Sequence, residues 1–313
     1  TNEAYRLYCE AAQFIIEDNP EFMERALNIP KEIGERIRAS WGADELSLYG
    51  RFDFILAKDG TPKILEFNAD TPTSLLEASV IQWQWKEDVF PECDQFNGIH
   101  EGLVQSWKDI FPKKGEIHFA GALENNEDTG TLQYLASTAM EAGFSTRVLD
   151  MQALDLQNGR FFDPAGELVN RCFKLYPWEW MVEPIWKLVM SNKAILATLY
   201  ELFPDSPYVL PCYLSRPRSG LFCKKPVFSR EGHNVSVVDI RDWEEYVRIA
   251  ETEGDYNTGA YVYQEYVEPT AYSGRYPVIG SWIIGGEAAG IGIRENRMEV
   301  TDNLSEFVPH IIG

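Results

Sequence analysis

Gly50-Arg51-Phe52-Asp53-Phe54-Ile55-Leu56-Ala57-Lys58-Asp59-Gly60-Thr61-Pro62-Lys63-Ile64-Leu65-Glu66-Phe67-Asn68 reads as a β-hairpin. Asp59-Gly60 is a two-residue turn signal, because its central positions need positive φ, and β-forming residues flank it. Centring the hairpin there sets Arg51 opposite Asn68, Asp53 opposite Glu66 and Ile55 opposite Ile64. Side chains alternate along a strand. One face therefore gathers Arg51, Asp53, Glu66 and Asn68. The other carries Phe52, Phe54, Leu65 and Phe67 and is a core face.

Two carboxylates directly opposed across strands repel each other, at a cost of roughly 0.2–1 kcal/mol. A divalent cation between Asp53 and Glu66 reverses that sign, and Asn68 adds a neutral oxygen. Such oxygens are the ligand set for magnesium bound together with substrate phosphates. Arg51 suits an anion such as a phosphoryl oxygen. A solvated polar face, with Arg51 neutralising the acids, is the other reading of the same spacing.

The rest of the 313-residue chain narrows the function classes. Asp and Glu number 49 against 28 Lys and Arg, a net charge of −21. That excludes the clustered cations of a nucleic-acid binder or a polybasic membrane-surface protein. Length allows two or three domain-sized units. No apolar run reaches a membrane span, and Thr1-Asn2-Glu3-Ala4 is not a secretory signal. No methionine opens the chain, so upstream residues are expected. The five cysteines, Cys9, Cys93, Cys172, Cys212 and Cys223, are odd in number and widely spaced, pointing to a reduced, cytoplasmic protein. Four scattered histidines offer no zinc spacing, so a metal must be held by carboxylates.

Periodicity predicts helices over residues 2 to about 40, broken at Pro20 and Pro30. Thr71-Pro72-Thr73-Ser74 opens a capped helix that turns Leu75, Leu76, Ala78, Ile81 and Trp85 inward. Residues 116–150 form a parallel βαβ unit, with its helix over Thr131 to Ala142 and Gly143 as C-cap. Beyond residue 206, Tyr208 to Leu210, Phe222 to Phe228, Val235 to Ile240, Ala260 to Val267 and Val278 to Arg294 have strand character. A helix over Asp242 to Thr252 interrupts them.

Seven stretches, in order along the chain, carry a family resemblance. They are Tyr49-Gly50-Arg51-Phe52-Asp53-Phe54, Glu66-Phe67-Asn68-Ala69-Asp70-Thr71-Pro72-Thr73-Ser74, Ser191-Asn192-Lys193, Lys225-Pro226-Val227-Phe228-Ser229-Arg230-Glu231-Gly232, Tyr263-Gln264-Glu265-Tyr266, Gly280-Ser281-Trp282 and Gly292-Ile293-Arg294-Glu295. Together they resemble the synthetase domain of glutathionylspermidine synthetase and, more closely, its stand-alone bacterial acid–amine ligase homologues, in the ATP-grasp superfamily. The resemblance covers essentially the whole chain.

That resemblance implies an ADP-forming carbon–nitrogen ligase that uses ATP and magnesium, with two ions expected. A carboxylate attacks the γ-phosphate to give an acyl phosphate, and an amine displaces phosphate to form an amide. Asp53, Glu66 and Asn68 match the metal ligands, with Asp53 also at the nucleotide. Arg51 and Arg294 match arginines at the transferred phosphoryl group. Lys193 and Lys225 match the phosphate-binding lysines. Arg230, taken as catalytic, and Gly232 lie in a segment resembling a phosphate-covering loop. Gln264, Glu265, Tyr266 and Val267 resemble the adenine hinge. Thr71 and Thr73 match hydroxyls near the acid substrate, although helix capping alone would account for them.

The implied fold is α+β with an α/β portion, a circularly permuted ATP-grasp fold, because the metal hairpin precedes the lysines. Residues 1–110 hold a helical segment and the metal hairpin. Residues 111–177 hold a pre-ATP-grasp-like βαβ region, and 178–313 hold the ATP-grasp lobes. The family also implies longer loops at Met181-Val182 and at Ser215 to Gly220. The partners are a small-molecule acid and amine, a peptide or polyamine among them, with no nucleic acid and no membrane. The negative charge suits a cationic amine. A silent nucleotide-binding regulatory module and an ATP-dependent phosphotransferase are the rival functions.

Overall fold

The computed structural model describes residues 1–175, 184–229, 232–241, 246–254, 259–297 and 305–313. Helix α1 (Asn2–Gln13) buries Ala4, Leu7, Tyr8 and Ala11 at helical spacing and runs into a π-helical turn at Phe14–Asp18. Pro20 and Pro30 stand immediately before α2 (Glu21–Arg25) and α3 (Lys31–Gly42), breaking the helical stretch as expected. The hairpin follows as β1 (Tyr49–Leu56) and β2 (Pro62–Asn68). A second π-helical turn, Glu77–Ile81, leads into α4 (Gln82–Val89), and α5 spans Ile99–Ile110. The parallel unit is β3 (Glu116–Gly121), α6 (Asn126–Glu141) and β4 (Ser145–Asp150). A short ribbon, β5 (Asp155–Gln157) and β6 (Arg160–Phe162), precedes β7 (Cys172–Leu175). Helices α7 (Lys187–Ser191) and α8 (Ile195–Leu202) then lead to β8 (Cys212–Tyr213), β9 (Gly220–Pro226), β10 (Ser236–Ile240) and β11 (Tyr246–Glu251). The last strands are β12 (Tyr261–Glu265), β13 (Tyr276–Ile284), β14 (Glu287–Asn296) and β15 (Glu306–Val308).

Three sheets matter for the site. The first runs β15-β14-β13-β1-β2, so the hairpin is completed by strands from the far end of the chain. The second runs β11-β10-β9-β12-β8. The third is the parallel β4-β3-β7. Gly143 closes α6 with φ 94°, a conformation glycine adopts without a Cβ penalty.

The hairpin keeps the expected pairs at its polar end and departs from them at its tip. Arg51 faces Asn68 and Asp53 faces Glu66. Beyond a bulge, however, Phe54 faces Ile64, and Ile55 faces Lys63 instead of Ile64. The tip is a three-residue loop, not a two-residue turn. Ala57 N–H donates to the Thr61 carbonyl, Gly60 N–H donates to Ala57, and of the two turn residues only Gly60 has positive φ. The loop shifts the register by one residue, and the extra residue in the bulge shifts it back. Leu65 therefore leaves the core face and lines a cavity, while Ile64 takes its place in the core.

Four further expectations are corrected. The helix after the hairpin begins at Leu75, past Ser74 at φ 65°, so Thr71 and Pro72 precede it. Its π-helical turn rotates the following face. Ser79, Gln82 and Lys86 point inward, whereas Ile81 is 55% exposed and Trp85 only half-buried. Tyr208 to Leu210 is not a strand, although the Tyr208 carbonyl accepts from Ile64 N–H. Finally, the segment expected as a helix at Asp242 to Thr252 contains β11, paired antiparallel with β10, while 242–245 lie outside the described residues. Aromatic Tyr246 and β-branched Val247 and Ile249 favour a strand over the helix the spacing suggested.

Two cores flank the first sheet. On one face Phe52, Phe54, Ile64 and Phe67 pack against α1 and α8, with Phe52 and Phe67 stacked 4.1 Å apart. On the other face Tyr49, stacked with Trp282, packs against Phe173 of the parallel sheet, which Trp107 of α5 also meets. The parallel unit thus sits over one end of the polar face and walls it in. Phe52→Ala should cost about 3–5 kcal/mol of stability in urea unfolding. An unchanged midpoint would contradict this packing.

Candidate functional site

The polar face of the hairpin opens into a cavity of about 310 Å³. Arg51 and Asp53 enter it from β1, Glu66 and Asn68 from β2, and Arg294 from β14. Arg51 Nε donates to Asp53 Oδ1 at 2.7 Å, and Arg294 Nη2 donates to Asp53 Oδ2 at 2.7 Å. Lys193 Nζ lies 2.9 Å from Glu66 Oε2. The Asn68 amide donates to both carboxylates, at 3.4 Å to Asp53 and 3.3 Å to Glu66. Side-chain cations and one amide therefore offset the opposed carboxylates.

Burial alone would raise the pKa of Glu66. Lys193 and then Lys225 outweigh it and hold the carboxyl down at about 2. Burial also opposes the charge of Arg51, but Asp53 and Glu66 prevail and raise its pKa above the ordinary arginine value. Arg294 goes the other way, because burial and the neighbouring Arg51 outweigh its carboxylate partners.

Two lysines come from outside the first sheet. Asn192 fixes the turn before Lys193 by donating to the Leu27 carbonyl at 3.0 Å and accepting from Ala194 N–H at 2.9 Å. Lys193 Nζ also donates to the Ser229 carbonyl. From β9, Lys225 Nζ donates to the Leu65 carbonyl at 3.2 Å and to Gln264 Oε1 at 2.7 Å. Gln264 Nε2 donates to the Ile64 carbonyl at 3.0 Å. The carbonyls at the bulge thus receive the second sheet, and the register correction doubles as the joint between sheets.

Gly232 (φ 71°), Gln264, Glu265, Tyr266 and Val267 line the other end of the cavity, beside apolar Ile55, Leu65 and Val278. The Gln264 side chain is committed to Lys225 and Ile64. The Tyr266 N–H donates to the Leu221 carbonyl. Arg230 and Met181-Val182 lie outside the described residues. Thr71 and Thr73 line the cavity, and the Thr73 carbonyl accepts from Arg51 Nη1. They do not cap the helix, which starts later.

Sequence reasoning missed another part of the cavity lining. Asn125, Glu127, Asp128 and Thr131, at the N-terminus of α6, all line the cavity. Asn125 Oδ1 accepts from Glu127 N–H at 2.9 Å and caps the helix. The signal was present, since an Asn cap followed by acids in the first turn marks a helix start five residues before the one expected.

Among the described residues no set of three or more His, Cys, Asp and Glu converges as a metal site. The hairpin set has two carboxylates and an amide instead. The two carboxylates on one face fit a hard cation, and Asn68, whose amide nitrogen faces them here, would add its oxygen with the amide turned.

Gly280 makes room for this arrangement. It pairs with Asp53 on one side and Gly292 on the other, leaving a strip bare of side chains. Arg51 lies across that strip. A Cβ at Gly280 would come within 2.8 Å of Arg51 Cδ.

The chain matches the glutathionylspermidine synthase preATP-grasp family over residues 1–313. It belongs to that family. It is 38% identical, over 88% of its length and 77% of the relative's, to a Haemophilus influenzae protein provisionally named an acid–amine ligase. It is 28% identical to a trypanothione synthetase of Crithidia fasciculata, matching 96% of this chain and 52% of that one. A bifunctional glutathionylspermidine synthetase/amidase of Escherichia coli is 25% identical over the whole chain and 56% of its own. The chain thus spans about half the length of the two named synthetases. The fold is shared with a Methylobacillus flagellatus structure provisionally described as a gamma-glutamylcysteine synthetase (TM-score 0.56, 10% identity, 97% of this chain and 87% of that one). It is also shared with a glutathione synthetase-like effector from Globodera pallida (TM-score 0.56, 11% identity, 100% and 85%).

Two outcomes are expected. Gly280→Ala should destabilise the protein by about 1–3 kcal/mol in urea unfolding, because Arg51 cannot move away cheaply. A neutral result would show that Arg51 is not held there. For Glu66, a depressed folded-state pKa means stability that is complete above pH 4.5 and is lost as the pH falls towards about 2. Glu66→Gln should therefore flatten that acid limb in pH-dependent unfolding. An unchanged limb would contradict the assignment.

Proposed function

We propose that this chain is an ATP-dependent carboxylate–amine ligase of the ADP-forming type, working through an acyl phosphate. The observation that carries the reading is the convergence of Asp53, Glu66 and Asn68 with Arg51, Lys193 and Arg294 in one cavity. Oxygens for a magnesium ion and cations for phosphate oxygens stand side by side there, from elements far apart in the chain. Magnesium, when bound, neutralises charge on the phosphates. Asp53, Glu66 and Asn68 hold it. Lys193 and Lys225 bind phosphate oxygens as point charges. Arg51 and Arg294 stabilise negative charge developing on the transferred group, where preorganised cations act strongest.

The adenine lies at the Gln264–Val267 end, against Ile55, Leu65 and Val278. Its polar contacts come from groups other than the Gln264 side chain and the Tyr266 N–H, which are already engaged. The acid and amine occupy the opposite end, between Thr71, Thr73 and the acids of α6. Glu127 and Asp128 give that end a negative charge suited to a cationic amine. The order of the parts, hairpin before lysines, supports a permuted ATP-grasp arrangement in which segments 1–110 and 178–313 contribute to one shared sheet and 111–177 supplies the parallel unit.

The names of the relatives support amide ligation and leave the acid and amine open. A phosphotransferase that stops at the phosphorylated acid shares every nucleotide contact, and dependence on the amine separates the two. The test is magnesium-dependent ADP release, with and without a mixed pool of small peptides and polyamines. Stimulation that requires both an acid and an amine component is expected. Release that ignores the amine would make the protein a kinase, and no release despite ATP binding would make it a silent module. Glu66→Gln should fold and lose ATP turnover at least a hundredfold. Wild-type turnover in the folded variant would remove the metal assignment.

A further inference from the structure

A buried ion pair stands behind the substrate end of the cavity and takes no part in the chemistry above. Lys174 Nζ lies 2.5 Å from Asp70 Oδ1, with both side chains 3% exposed. The two residues are 104 positions apart. Lys174 sits on β7, an edge strand of the parallel sheet, and Asp70 sits just past the hairpin. On β7 the neighbours Phe173 and Leu175 face the core, so Lys174 points to the opposite side of the strand.

Asp70 lies in a stretch, residues 69–74, that neither strand nor helix covers. Its next residues are Thr71, Pro72 and Thr73, all on the cavity wall. The far end of the stretch is held by Arg51, which donates to the Thr73 carbonyl. The near end is held by Lys174. The residue after Lys174, Leu175, lines the same cavity. One segment is therefore fastened to the first sheet at Thr73 and to the parallel unit at Asp70.

We infer that Lys174 and Asp70 are positioning residues that fix the Thr71–Thr73 segment against the wall formed by α6, and so set the geometry of the acid and amine end. A buried ion pair is weak evidence for stability, since apolar replacements of such pairs are often neutral. Its value here is geometric, because it ties the segment to the sheet whose helix forms the opposing wall. The consequence for turnover rests on the ligase reading, while the fastening itself does not.

The test uses the full chain and the paired variant Asp70→Asn/Lys174→Met, which removes both charges of the pair together. Hydrogen exchange of residues 69–76 is read by mass spectrometry, beside the affinity for magnesium with a non-hydrolysable ATP analogue. ADP release is measured with the peptide and polyamine pool. Exchange in 69–76 should quicken at least tenfold, with α6 and the hairpin unchanged and analogue affinity within twofold of wild type. Pool-stimulated release should fall at least tenfold, with the KM for ATP unchanged. Unaltered exchange in 69–76 would overturn the inference. So would equal loss of protection across the hairpin and α6, or equal loss of analogue binding, because the pair would then be a general brace. If the wild type shows no pool-stimulated release, the ligase reading fails while the exchange measurement still decides the fastening.

Discussion

Asp53 and Glu66 are opposed across two hydrogen-bonded strands, Asp53 buried and Glu66 half-buried, in a cavity that the second sheet and the βαβ unit help to line. Two like charges in that position repel each other at close range in a low-dielectric setting. They persist because Arg51, Arg294 and Lys193 reach them from three separate places in the chain. The first sheet must close for Arg294 to arrive, and the α7–α8 connection must lie under the hairpin for Lys193 to arrive. The bulge at Leu65 exists in the same context. It restores the pairing that opposes the carboxylates and offers its carbonyls to Lys225 and Gln264. Much of the architecture around the cavity follows from balancing this one pair.

The same balance bears on how ligands enter. The cations suited to phosphate are engaged by the carboxylates suited to a metal. Phosphates that draw off the arginines and lysine leave carboxylate oxygens to be satisfied, and a metal that occupies those oxygens releases the cations. On the proposed ligase reading, binding of either species would favour the other, and linkage requires the effect to be reciprocal.

What was legible in the sequence was local chemistry. The pairs Arg51–Asn68 and Asp53–Glu66 followed from alternation along two short strands, and the βαβ unit followed from periodicity. The tip of the hairpin was misread because Asp59-Gly60 serves equally in a two-residue turn and in a three-residue loop with glycine at the positive-φ position. Nothing local reveals the compensating bulge, because its carbonyl partners belong to another sheet. Ile81 was misplaced for a related reason: a π-helical turn adds one residue per turn and carries no composition signal that alternation or 3.6-residue spacing detects. The cavity wall at Asn125, Glu127 and Asp128 was readable as a helix start, but its place opposite Thr71 depends on how the parallel unit docks. The positions of Lys193, Lys225 and Arg294 came from family resemblance, since a lone lysine or arginine near a strand end has no signature of its own.

The order of the first sheet has a consequence for how the molecule forms. Asp53 pairs with Gly280, and Tyr49 pairs with Ile284. During synthesis the hairpin leaves the ribosome long before β13 can cover the open edge of β1. For that interval an apolar strand stands unpaired beside two carboxylates that only Arg51 and Asn68 offset, without Lys193 or Arg294. Contacts of such separation form slowly, and exposed strand edges of this kind are where partly folded chains associate. The polar face of the hairpin is therefore among the last parts of the protein to become native.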